Sequence, residues 1–367
     1  MDVLRECGVV LGGGGADATS PLGEETLRLM TNVGRFFIEQ SKLPEAGELL
    51  HRCVAAAATE LGAEHELTLR AESVLAALLW KTGKSEEGVR IARHALAGQE
   101  AGLGESHEHT LDSANILALL LADEAMRKVA TTAAAAAATG VTAEVAEAEA
   151  LYRRVLTGVQ ATLGHTHILA IQATSNLAGL VYKQGRIDEA FVFYRSSVAL
   201  NEEVNGANHP DTLRSVNNLA VALTEQAQLP EAATLASRAV EGGIITLGKR
   251  HPDTLAWQCS LAMVYFLSGQ QDQAIGAFFR ALVGFEGTLG PEHPTTLAAA
   301  AQLMKIYFSI GRFAEAEPLL RRVLADEEAR LGPHHPETQT SAKGLKNLLG
   351  AMGRGAEAAQ VAKHYKV

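Results

Sequence analysis

The sequence predicts an all-α protein, a solenoid of about eight helix-pair repeats, and three observations predict it. First, seven histidines (His65, His107, His167, His209, His251, His293 and His335) stand 42 residues apart, save for one step of 60 between His107 and His167. A sustained period of roughly 20–50 residues marks a solenoid, a propeller or an array. Second, the stretches between the histidines have helical periodicity. "TLRSVNNLAVALTEQAQ" (212–228) places Val216, Leu219, Ala220 and Leu223 at spacings of three, one and three. Third, apolar residues make up 47% of the chain but aromatics only 5%. Core volume therefore comes from Leu, Ala and Val, a mix that suits closely packed helices.

The elements follow in order. Residues 1–20 form an N-terminal segment with a Gly-rich entry loop, "LGGGGAD" (11–17), and the repeat array occupies 21–367. The first unit has Gly23 at the joint, and Thr26-Leu27 where Thr68-Leu69 stand in the next. Each unit is a helix A followed by a helix B. Gly83, Gly185, Gly269, Gly311 and Gly353 sit at one register between A and B, where a left-handed residue ends a helix. Pro44 and Pro230 fall in the first turn of helix B, where a proline loses no hydrogen bond. Helix B ends on a Leu-Gly pair, as at 61–62, 103–104, 163–164, 247–248, 289–290 and 331–332. The joint itself reads "GANHPDTL", "GKRHPDTL" and "GPEHPTTL". Its histidine is placed near the N-cap of the next A helix, its proline in the first turn, and Asp211, Asp253 or Glu337 against the positive helix end.

The third repeat carries an 18-residue insertion between its helices, at about 124–143 within "DEAMRKVATTAAAAAATGVTAEV" (123–145). Its alanines favour a short helical extension with a mobile tip. Closing 18 extra residues costs only on the order of 1 kcal/mol, so the array tolerates them. A neutral insertion and a docking element are both open readings.

Counting Thr212, or Ala170 one repeat earlier, as register 0, "SNLAGLVYKQGRIDEA" places Leu177 at 7, Ala178 at 8, Gly185 at 15 and Ala190 at 20. These large and small positions resemble the tetratricopeptide (TPR) pattern. The 42-residue length and the "LG..HP.TL" joint resemble the kinesin light chain-like and nephrocystin-like type. The resemblance covers roughly residues 20–367. It implies a right-handed superhelix whose concave wall, built mostly from A helices, binds an extended peptide. It also has limits. No heptad run precedes the repeats, so a motor-adaptor role is not carried over. No phosphate loop of the Gly-x-x-x-x-Gly-Lys-Ser/Thr kind occurs, so neither is a nucleotide-binding domain.

Composition excludes several functions. The formal net charge is −10, which opposes binding to nucleic acid or to an anionic membrane surface. No apolar run approaches the ~20 residues that span a bilayer; the longest is "ILALLLA" at 116–122. A soluble, cytoplasmic protein is the expectation. Cys7, Cys53 and Cys259 are odd in number and far apart, which fits free thiols rather than a disulfide framework. Joint histidines one repeat apart are separated by at least the ~8–10 Å between packed helices, too far to share a metal. Neither a metal nor a cofactor is expected, and no nucleophile elbow or zinc-helix motif suggests an enzyme.

The inner registers of the A helices point to a binding function. The resemblance assigns the groove to registers 2, 5, 6, 9, 12 and 13. Register 2 holds Arg28, Arg70 and Arg214; register 5 holds Asn115 and Asn217; register 6 holds Asn32, Asn176 and Asn218. Register 9 holds Arg35 and Lys305, register 12 Trp80, Tyr182, Phe266 and Phe308, and register 13 Lys81 and Lys183. An asparagine amide can both donate to and accept from an extended backbone, and Arg and Lys pair with acidic side chains. The bland reading is that the asparagines stitch helices together and the aromatics are packing. The set departs from the chaperone-type carboxylate clamp, with Val74 where an arginine would stand. The expected function is a non-enzymatic interaction scaffold or adaptor that binds an extended, acidic partner segment between repeats 1 and 6. Two alternatives are a permanent subunit of a large assembly and a sensor fragment of a longer protein. The start "DVLRECGVVLG" (2–12) permits the second, since it reads like the end of another repeat.

Overall fold

The structure, a computed structural model, describes residues 22–40, 42–131 and 143–367. Among these residues there are sixteen α-helices and no strand. They form eight A/B pairs: α1 (Glu24–Glu39) with α2 (Leu43–Glu60), α3 (Glu66–Lys81) with α4 (Ser85–Leu103), α5 (Glu108–Thr131) with α6 (Ala143–Thr162), and α7 (Ile168–Lys183) with α8 (Ile187–Asn205). The remaining pairs are α9 (Pro210–Glu225) with α10 (Leu229–Thr246), α11 (Pro252–Leu267) with α12 (Gln271–Thr288), α13 (Pro294–Ser309) with α14 (Phe313–Leu331), and α15 (Pro336–Ala351) with α16 (Gly355–Tyr365). The chain divides into two compact units, Met1–Ser197 and Val198–Val367.

Every joint histidine is an N-cap. In all seven, the imidazole Nδ1 accepts the backbone N–H two residues on, at 3.2–3.4 Å. Each therefore satisfies one of the orphan donors that open an A helix. A nitrogen that accepts carries no hydrogen, so each ring is in the tautomer protonated at Nε2. The register-0 threonine closes the joint from the other side: Thr68, Thr212 and Thr296 each donate to the joint glycine's carbonyl at 2.8 Å. Those glycines (Gly62, Gly206 and Gly290) have φ between +85° and +98°.

The turn from A to B is equally regular. The five glycines expected there have φ of +74° to +80°, and the fifth repeat has Ala227 at the same register with φ +56°. The third repeat departs as expected. Its A helix α5 has 24 residues against 16 in α3, an extension of two turns into the insertion. The alanine-rich tip, 132–142, lies outside the described residues.

Helices in each unit pack through small residues. Register 8 is Ala76, Ala118 and Ala178 in the first unit and Ala220 and Ala262 in the second, all buried. Gly34 holds this register in the first repeat, where a Cβ would lie 2.5 Å from Leu50. In the second unit the core of the last repeats is one cluster around Phe278, Phe285, Leu303, Ile306, Leu345 and Leu348.

Polar clamps join successive repeats. An arginine at register 26 forks to a glutamate at register 32 and a carbonyl at register 37 of the repeat before it. Arg238 reaches Glu202 at 2.7 Å and the Ala207 carbonyl at 2.9 Å. Arg154 repeats this with Glu100 and the Glu105 carbonyl, and Arg322 with Glu286 and the Pro291 carbonyl. His364 stands at the same register and meets Glu328 at 2.9 Å. Among the described residues a second, four-membered network occurs once in each unit. Glu149, Arg153, Arg186 and Glu189 interlock in the first, and Glu317, Arg321, Arg354 and Glu357 in the second.

Candidate functional site

In the first unit the A helices bring three predicted arginines and one asparagine together. Arg35, on the third turn of α1, passes over α3 to Asp112 on α5, with Nη2 to Oδ2 at 2.7 Å. Arg70, on the second turn of α3, donates from Nη2 to the Asn32 amide oxygen at 3.1 Å. Arg28 lies one turn before Asn32, and its only ion pair within 4 Å among the described residues is to Glu24, at 3.9 Å. Helical spacing of three and four aligns Arg28, Asn32 and Arg35 on one face of α1.

The electrostatics of this cluster are uneven. Burial lowers the pKa of the Arg35 guanidinium, yet Asp112, with smaller help from Glu39 and Glu108, outweighs it, and the net shift is upward. Arg70 is shifted down, first by burial and then by the positive charges of Arg35 and Arg28. Arg70 makes no ion pair among the described residues: its one hydrogen bond goes to a neutral amide, and its Nε is buried without a partner. His109 lies alongside and is also pushed down, by burial and then by Arg70 and His107.

The other predicted residues are placed differently. Trp80 and Asn176 are half-buried, and Lys81 and Lys183 are exposed in the last turns of α3 and α7. Tyr182 stacks edge-to-face on Tyr194 of its own repeat, with centroids 6.3 Å apart, so much of its surface is packing. Asn115 is only 5% exposed and its Oδ1 has no partner; it is sealed inside the unit rather than open on a face. In the second unit Asn217 and Asn218 are half-buried. Arg214 is engaged by Asp211 at 2.9 Å and faces Asp253 at 3.8 Å. At registers 9, 12 and 13 this unit exposes the apolar Val221, Phe308 and Leu267, each at least 38% exposed, with Lys305 also at register 9.

Sequence reasoning missed Asp112, because an acid at register 2 contradicted the basic pattern sought there. It also missed the clamps, although Arg at register 26 with Glu at register 32 recurs in the sequence and could have found them. The thiols are inert: burial raises Cys53 and pushes Cys259 up to about 12. Cys7 lies outside the described residues. Among the described residues no group of three or more His, Cys, Asp and Glu could hold a metal, and no helix is long and apolar enough to cross a membrane.

Comparison with known proteins agrees with this architecture. The family model of the tetratricopeptide repeat matches residues 25–101, 128–203, 169–243 and 253–328. None of the curated proteins matches the chain in sequence. Among solved structures, the apo quorum sensor NprR from B. thuringiensis is 12% identical, with a TM-score of 0.64 over 94% of this chain and 88% of its own. BtubC (BKLC) from P. vanneervenii is 19% identical, with a TM-score of 0.53 over 62% of this chain and 91% of its own. Kinesin light chain TPR-like repeats from Podosopora anserina are 28% identical, with a TM-score of 0.44 over 58% of this chain and 96% of theirs. A repeat fold of this kind is typically a protein-interaction scaffold.

Proposed function

Because the chain belongs to the tetratricopeptide-repeat family, we propose that it is a non-enzymatic scaffold or adaptor that takes an extended, acidic partner segment along the A-helix face of repeats 1 to 3. The single observation behind this reading is Arg70, a half-buried guanidinium with no carboxylate of its own. A partner Asp or Glu side chain would supply the missing charge and relieve the crowding with Arg28 and Arg35. Charge-assisted hydrogen bonds of this kind are roughly twice as strong as neutral ones. Asn32 would turn from Arg70 to the partner's backbone, donating and accepting at once. Lys81 and Trp80 extend the face toward the far end of α3, and Asn176 and Lys183 continue it on α7. Arg214, Asn217 and Asn218 offer a second contact set in the other unit, and Arg214 there must first give up its aspartates.

The test is anisotropy of a labelled, extended peptide of alternating Glu and Gly. The expected dissociation constant is micromolar, about −8 kcal/mol, and it weakens as salt rises. Arg70→Gln should weaken binding roughly tenfold, which is about 1.4 kcal/mol. Arg214→Gln should change it little. Unchanged affinity in a folded Arg70→Gln protein would remove this face from consideration.

A further inference from the structure

The clamp is missing between the fifth and sixth repeats although its arginine is present, whereas at the two earlier joints that lack it the arginine itself is replaced, by His94 and Ser196. Arg238 and Arg322 hold Glu202 and Glu286, and Arg280 stands midway between them, 42 residues from each. The residue that should hold Arg280 is at position 244, 42 after Glu202 and 42 before Glu286, and it is Ile244. Arg280 makes no ion pair or hydrogen bond among the described residues.

The lost clamp coincides with exposed apolar surface. Ile244 is 47% exposed, Ile245 81%, Phe279 55% and Val283 50%. Phe279 and Val283 are one turn apart on α12, and Arg280 lies three residues before Val283 on an adjoining strip of the same helix. By register Arg280 stands opposite Ile244, as Arg238 stands opposite Glu202 and Arg322 opposite Glu286, and its guanidinium rests along α12 beside Gly276. The repeat thus sets these five residues, all exposed, at facing registers of α10 and α12, entirely within the second unit. The adjoining repeats lack it: the positions of Phe279 and Val283 are Ser237 and Glu241 in the fifth repeat and Arg321 and Ala325 in the seventh.

We infer that this patch is a docking surface separate from the A-helix face, and that its occupant is an amphipathic helix of a partner protein with an apolar stripe and a carboxylate opposite Arg280. Contiguous exposed apolar surface around a lone charge marks an interaction site. The cation chooses the sign: a partner carboxylate would take the place that Glu202 and Glu286 hold in the flanking repeats. The shape chooses a helix. The patch is a ridge of side chains on two packed helices with no strand edge to extend, and an amphipathic helix meets such a ridge through anchors three and four residues apart. A second copy fits poorly, because a two-fold contact apposes the patch to itself and its five side chains include no carboxylate to pair with Arg280.

The probe is a stapled helical peptide with leucines on one stripe and glutamates flanking it, set against the same peptide with lysines. The full chain should bind the glutamate peptide at least about tenfold more tightly than the lysine peptide, a difference of roughly 1.4 kcal/mol. Arg280→Glu should reverse the preference, and Ile245→Ser with Phe279→Ser should abolish binding. All of these positions are solvent-exposed, so circular dichroism should be unchanged. Arg70→Gln, which tests the A-helix face, should leave this binding intact. Equal affinity for the two peptides overturns the inference. A dimer in sedimentation that dissociates on Ile245→Ser also overturns it, since the patch would then be a self-contact.

Discussion

At the scale of single residues, the joint histidines act through geometry rather than chemistry. Each uses one nitrogen as an N-cap acceptor, so replacing one isolates an orphan donor. His251→Ala should destabilise by about 1 kcal/mol, and His251→Asn, a better cap, should cost less. Equal denaturant midpoints for the wild type and His251→Ala would refute the capping role. Ala227 offers the reverse test. It sits at φ +56° where five other repeats have glycine, and a side chain there costs roughly 1–2 kcal/mol. Ala227→Gly should therefore raise the melting temperature, against the general rule that glycine loosens a chain. The caps were legible in the sequence because seven copies of one phrase can be compared. The left-handed alanine could be found only by noticing what was absent from an otherwise constant register.

A titration argument belongs to the same scale. Burial pushes the Glu149 carboxyl up, but hydrogen bonds from Arg186, Gln184 and Arg153 outweigh it and bring its pKa from 4.5 to about 2. A carboxylate depressed in the folded state adds stability above its unfolded pKa and loses it as pH falls toward the folded value. The contribution should thus be present at neutral pH and fade between about 4.5 and 2. Glu149→Gln should lower stability at pH 7 and flatten the acid limb in that window. Parallel pH curves for the two proteins would show that the network contributes nothing.

At the scale of elements, the insertion shows how a repeat absorbs extra chain. Helix α5 continues for two turns past the usual end of an A helix and carries Glu124, whose side chain is only 8% exposed. Arg127 and Lys128, both inside the insertion, pair with it. Deleting residues 126–143 restores the 42-residue spacing but strips a nearly buried carboxylate of both cations. Leaving a charge unpaired in such a place is strongly unfavourable. The deletion should keep its helical circular dichroism yet melt earlier than the wild type, and Glu124→Ala in the deleted chain should recover most of the loss. Full stability without the second change would mean that solvent reaches Glu124. The alanine run on which the sequence expectation of a helical extension rested lies outside the described residues, and the extension seen in α5 precedes it, ending at Thr131. Its ion pairs were not legible, because charge pairing depends on where a helix stops.

At the scale of the whole molecule, the fold was legible and the site only partly so, for one reason. Periodicity reports what every repeat shares, such as caps, joints and small packing positions, whereas function resides where repeats differ. Asn115 and Asn217 share a register, yet Asn115 is sealed inside its unit and Asn217 is half open. Register alone could not separate them, since burial depends on the helices laid over each. The same locality governs stability. Each helix packs mainly on the next, so damage should stay near its origin. Leu219 is 3% exposed in α9 of the second unit, and Leu219→Ala leaves a cavity worth about 2–5 kcal/mol. Amide hydrogen exchange should then show the loss in α9 to α11, with protection in α1 to α4 unchanged because a repeat passes damage mainly to its neighbours. A uniform loss across both units would mean that the array unfolds as a single cooperative block, and the nearest-neighbour account would fail.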